Sequence, residues 1–137
     1  MQLNFHGQFQ AIQKIGKGVT ANVYRVCRLR DKKSVAIKSF NREAYFESEN
    51  GNGKKAFKKE LKILSELNHK NVCKFEGVYE SSNSTYVAME LLGLSLFTYI
   101  QRARIASESK TKKIIYQLLL GLDYLHKKGI MHRDLKL

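Results

Sequence analysis

The chain has 137 residues, 43% hydrophobic and 27% charged, with no proline and a formal net charge of +13. That length and composition suit one ordinary domain with a real core and argue against a wholly disordered chain. Two cysteines, Cys27 and Cys73, without CxxC spacing or a paired histidine argue against a disulfide framework or a zinc site, so a reducing, cytoplasmic setting is expected.

Met1 to Gly7 has no apolar run of the kind a secretory signal needs. Phe9 to Leu29 alternates and carries two glycines, which predicts a strand, a tight turn and a second strand. Asp31-Lys32-Lys33 is a turn, and Ser34 to Phe40 is a strand rich in Val and Ile. Asn41 to Lys55 is polar and holds Asn50-Gly51-Asn52-Gly53, a loop pattern. Ser48 within it could carry a phosphate, although a plain solvated loop is the simpler reading. Ala56 to Leu67 is an amphipathic helix. Asn71 to Tyr79 and Thr85 to Leu91 are two more strands, with Ser81 to Ser84 as their turn. Leu94 to Arg104 is a short helix. Ser107 or Ser109 caps the next helix, which runs to about His126 and stops at Lys128-Gly129. Its apolar stretch, Ile114 to Leu125, is too short to span a bilayer and contains Asp123, so no membrane role is expected. Five short strands with one helix, then helices only, predict an α+β fold divided near Leu92 and Gly93.

The positive charge is spread over Lys54 to Lys62, Lys110 to Lys113 and Lys127 to Lys128. Solvated helix faces and loops explain such a spread. Without an aromatic-basic interleave or a recognition motif, no specific nucleic-acid partner is expected.

Three motifs carry chemistry. Ile15-Gly16-Lys17-Gly18-Val19-Thr20-Ala21-Asn22-Val23 puts two close glycines between strands. There the backbone can approach a phosphate without an intervening Cβ, and Lys17 adds charge. A plain hairpin turn also accounts for the pair. No helix opens behind the glycines, against a Rossmann or Walker site. In Val35-Ala36-Ile37-Lys38, Ala36 and Lys38 share one face of a strand. Ala36 leaves room for a flat ring, and Lys38 needs a partner if buried. Glu60 falls within the apolar stripe of Phe57, Leu61, Leu64 and Leu67 and could supply that partner. The alternative is a solvated Glu60 on the helix shoulder. Finally, Ile130-Met131-His132-Arg133-Asp134-Leu135-Lys136 is dense in functional types. Asp134 can accept a hydroxyl proton, Lys136 can stabilise phosphate charge, and Arg133 can pair bidentately with a phosphate. Read alone, it is also an ordinary polar helix-to-loop junction.

Together, in this order and spacing, the motifs resemble the eukaryotic-type protein kinase family, serine/threonine type, from about Phe9 to Leu137. The resemblance implies an N-terminal lobe over residues 9–92, a five-stranded antiparallel sheet plus one helix that binds ATP, and the start of a helical C-terminal lobe over 93–137. It implies that Ile15, Gly16, Lys17, Gly18 and Val23 cover the nucleotide and that Ala36 lines the adenine site. Lys38 would hold the α- and β-phosphates, oriented by Glu60. Met89 would guard the pocket, with Glu90 and Leu92 as the adenine-facing hinge. Asp134 would be the catalytic base, assisted by Lys136, and His69 would be structural. ATP, Mg²⁺ and a protein substrate are the implied partners. Lysine two places after Asp134 is the serine/threonine pattern. The runs Phe75 to Glu80 and Tyr86 to Leu92 look most like calcium/calmodulin-dependent kinases.

Ala21 stands where the family has a third glycine, and Leu94 where a second glycine is common. Residues 1–137 contain neither the asparagine five places beyond the base nor an Asp-Phe-Gly metal site, so the protein ligands for Mg²⁺ are absent from them. A polypeptide of these residues is therefore expected to have negligible kinase activity. A non-catalytic nucleotide-binding or partner-binding module is the alternative. The helix Ile114 to Leu125, apolar nearly all round, is expected to associate through its uncovered surface.

Overall fold

The computed structural model describes residues 4–5, 7–18, 21–41, 53–103 and 107–136. Ser48 and the loop 42–52, and Val19 and Thr20 of the first motif, lie outside the described residues. The chain packs as two compact units. One comprises residues 1–67 and 74–91, the other residues 68–73 and 92–137.

The first unit is an antiparallel sheet with one helix. Its strands are β1 (Asn4–Phe5), β2 (Phe9–Lys17), β3 (Ala21–Arg28), β4 (Ser34–Asn41), β5 (Phe75–Glu80) and β6 (Ser84–Glu90). They lie in the order β1-β2-β3-β4-β6-β5, with every neighbouring pair antiparallel. The five expected strands are present, and two-residue β1 adds a sixth at the edge. β5 begins at Phe75 rather than Asn71, because the Val72 N–H donates to the His69 carbonyl and keeps those residues in a turn. Helix α1 (Gly53–Ser65) starts three residues earlier than the Asn-Gly pattern predicts. Gly53 is buried there.

Alternation along β4 splits the core. Val35 and Ile37 face one side with Phe9, Val26 and Ala88, all fully or almost fully buried. Phe40 faces the other with Ala21, Val87 and the α1 residue Phe57. The Phe40 and Phe57 rings meet edge-on at 5.2 Å and fix α1 to the sheet. On the first side the sheet curls. Three strands lie between Phe9 in β2 and Tyr79 in β5, yet their rings meet at 4.7 Å.

The second unit holds α2 (Leu96–Ala103) and α3 (Glu108–Lys127). Ser107 caps α3, its hydroxyl accepting from the Lys110 N–H. At the far end Gly129 is left-handed (φ 71°). Its N–H donates to the His126 carbonyl at 2.9 Å, and the Ile130 N–H donates to the Leu125 carbonyl at 3.0 Å. This is the paired-bond C-terminus that glycine favours. The segment 68–73 straps onto α3. The Tyr124 hydroxyl accepts from the Asn68 N–H at 2.9 Å, and its ring stacks on His69 at 4.9 Å. Gly121 lies so close that a Cβ there would come within 2.8 Å of the Asn71 carbonyl oxygen.

Candidate functional site

The turn between β2 and β3 closes through the Gly18 N–H, which donates to the Ala21 carbonyl at 2.8 Å. Across the strands Gly16 stands opposite Val23, Val23 opposite Lys38, and Lys38 opposite Val87. Directly opposed residues share a face. Gly16, Val23, Lys38 and Val87 therefore form one row over four strands, and Ala36 with its neighbour Met89 begins the next row. A Cβ on Gly16 would touch the Val23 side chain at 3.4 Å, so glycine keeps the backbone bare at that edge. Small and apolar groups thus surround one half-buried cation, a surface suited to a flat ring with an anionic tail.

Ile15 falls in the register shift between Lys14 and Gly16 and is exposed, as are Lys17 and Gly18. Glu90 lies at the end of β6, opposite Val35. Its N–H donates to the Lys74 carbonyl at 2.9 Å, and its carboxylate accepts from the Lys74 N–H at 3.0 Å. Leu92 belongs to the second unit and is exposed.

The inward Glu60 expected from the helical stripe is corrected. Glu60 is exposed, and no ion pair joins it to Lys38 among the described residues. The reason is the docking of α1 through Phe57 in its first turns, which leaves Glu60 on the shoulder, outside the buried line of Gly53 and Phe57. Lys38 instead lies over the Phe40 ring, with Nζ 4.9 Å from its centre. That cation–π contact satisfies part of the ammonium's need for a partner. Its only sequence signal was the spacing of Lys38 and Phe40 two apart on one strand face.

The third motif forms an extended segment after Gly129 in the second unit. Arg133 is held left-handed (φ 65°), a conformation that costs a non-glycine residue about 1 kcal/mol or more. The Asp134 N–H donates to His132 Nδ1 at 3.2 Å. Lys136 Nζ donates to Asp134 Oδ2 at 2.8 Å, and this hydrogen bond holds the Asp134 carboxyl below the usual carboxylate range. Asp134 is thus an ionised, exposed acceptor with one oxygen engaged by lysine. The backbone strain and the His132 contact were not legible from the sequence.

A family model described as "Protein kinase domain" matches residues 9–137. The chain belongs to the protein kinase family. Among relatives of this kinase chain, the Aurora kinase of Schizosaccharomyces pombe is 32% identical over 134 residues, covering 96% of the chain and 37% of the relative. A probable serine/threonine-protein kinase of Zea mays, CCRP1, is 36% identical over 124 residues, covering 90% of the chain and 19% of the relative. The crystal structure of Rad53 1–466 in complex with AMP-PNP superposes with a TM-score of 0.79 at 27% identity, covering 94% of the chain and 33% of that protein. The kinase chain therefore spans well under half the length of these relatives. No helix among its described residues is long and apolar enough to cross a membrane.

Proposed function

We propose that residues 9–92 are the ATP-binding lobe of a serine/threonine protein kinase, and that residues 93–137 open its helical lobe and carry the catalytic base. The observation that carries this reading is the row Gly16, Val23, Lys38, Val87 with Ala36 beside it. In it Ala36 and Val23 line the adenine site, Met89 guards the pocket behind it, the glycine turn with Ile15 and Lys17 covers the phosphates, and Lys38 neutralises them. Glu90 and Leu92 form the hinge. In the whole kinase Asp134 accepts the proton of a protein hydroxyl as its oxygen attacks the γ-phosphorus, the bond from that phosphorus to the β,γ-bridging oxygen breaks and ADP leaves, and Lys136 steadies the charge of the transferring group.

Mg²⁺ accompanies this chemistry in the family, where the nucleotide phosphates and one or two protein oxygens hold it. The described residues contain no group of three His, Cys, Asp or Glu side chains that would hold a metal without a nucleotide. A second reading for residues 1–137 is a non-catalytic module that binds nucleotide or a partner without turnover. Titration with ATP tests the first part: wild type binds, and Lys38→Met binds at least about tenfold more weakly. Equal binding would remove the nucleotide assignment. Phosphate transfer to a generic protein by residues 1–137, abolished by Asp134→Asn, would overturn the second reading.

A further inference from the structure

Helix α1 carries Lys54, Lys55, Lys58, Lys59 and Lys62, all exposed. At 3.6 residues per turn they fill one continuous arc, opposite buried Gly53 and Phe57. Three pairs stand four residues apart, Lys54–Lys58, Lys55–Lys59 and Lys58–Lys62, and like charges at that spacing destabilise a helix. The first turn holds no acidic residue, and two of the lysines sit at the positive end of the helix dipole. Among the described residues none of the five is in an ion pair. Helix α3 is arranged differently, for Lys112 pairs with Glu108 and Lys127 with Asp123, each at 2.7 Å. Among the described residues the α1 arc is a concentration of charge without an ion-pair partner, and an anion laid along it would relieve the repulsion.

We propose that this face of α1 docks an acidic polypeptide segment. The arc holds no apolar residue that could enter a bilayer, so a membrane surface would be held by charge alone. It holds no aromatic, Arg, Asn or Gln to stack on or read a base, which disfavours sequence-specific nucleic-acid binding. Lysines one turn apart advance about 6 Å along the axis. Acids at alternate positions of an extended chain advance by roughly 6.6 Å, so successive carboxylates meet successive ammonium groups.

Fluorescence anisotropy of a labelled peptide of alternating Glu and Ser, titrated with the 137-residue chain, tests the proposal. Replacing the five lysines together (K54Q/K55Q/K58Q/K59Q/K62Q) should weaken binding at least about tenfold. Removing five exposed lysines elsewhere (K14Q/K70Q/K74Q/K110Q/K113Q) should change it by less than about threefold. Glutamine matches lysine in helix propensity, so α1 should persist. Amide shifts of the unmutated chain on adding the peptide give a second readout, expected within residues 54–62. Equal losses in both variants, or shifts spread over the whole chain, would overturn the proposal. So would tighter binding, through the same five lysines, of a single-stranded oligonucleotide or of phosphatidylserine vesicles.

Discussion

The guanidinium of Arg28 and the carboxylate of Glu76 meet at 2.9 Å, although strands β4 and β6 lie between their own strands. Arg28 is almost fully buried, and Asp31 grips it from the following turn at 2.6 Å. Lys33 completes the cluster at 2.6 Å from Glu76. With the Phe9–Tyr79 contact, these charges hold the curl of the sheet. Glu76→Ala leaves a buried cation with one partner instead of two and should cost about 2–3 kcal/mol, measured by urea unfolding.

The same cluster sets an acid limit. The Arg28 hydrogen bond brings the Asp31 carboxyl down to about 2, and Lys33 and then Arg28 lower that of Glu76. Both carboxyls are below their unfolded values, so their stabilisation is fully present above the ordinary carboxylate range. It is lost as pH falls through the folded values. Melting temperature should therefore fall between about pH 4 and pH 2, and fall less in Asp31→Asn.

Lys136 lowers the Asp134 carboxyl, so Lys136→Met should raise it towards the ordinary aspartate range. Carbon NMR of the Asp134 carboxylate against pH reads this directly. An unchanged titration would mean that the 2.8 Å contact does not persist in solution.

Gly129→Ala should destabilise the second unit by about 1 kcal/mol, because alanine resists the left-handed conformation that the end of α3 requires. Thermal unfolding followed by helix signal measures it. Gly121→Ala should cost more, since its Cβ would press on backbone rather than on a flexible side chain.

The outer surface of α3 leaves Ile115, Tyr116, Leu118 and Leu119 exposed. Residues 1–137 should therefore bind a hydrophobic dye and self-associate, and Leu119→Lys should reduce both. Light scattering and dye fluorescence are the readouts.

Much of the fold was legible because alternation and glycine turns are local signals. Val35 to Lys38 read correctly as a two-faced strand, and Lys128-Gly129 as a helix stop. Ile12 and Ile15 were not legible as exposed, since both lie at register shifts that break the alternation. Glu60 was misread because a stripe gives a helix face but not how far the sheet beneath it reaches. The Arg28 cluster was hidden for a different reason: it depends on a curl that joins residues 48 apart in the chain.

The strap 68–73 packs with α3 while the chain on either side of it belongs to the first unit. No single cut can therefore separate the two units intact. A fragment beginning at Leu92 would leave Tyr124 and Gly121 bare, and one ending at Leu91 would carry a strap with nothing to fasten to. Transplanting either half into another scaffold requires taking those six residues with the helix and reconnecting the ends they leave behind.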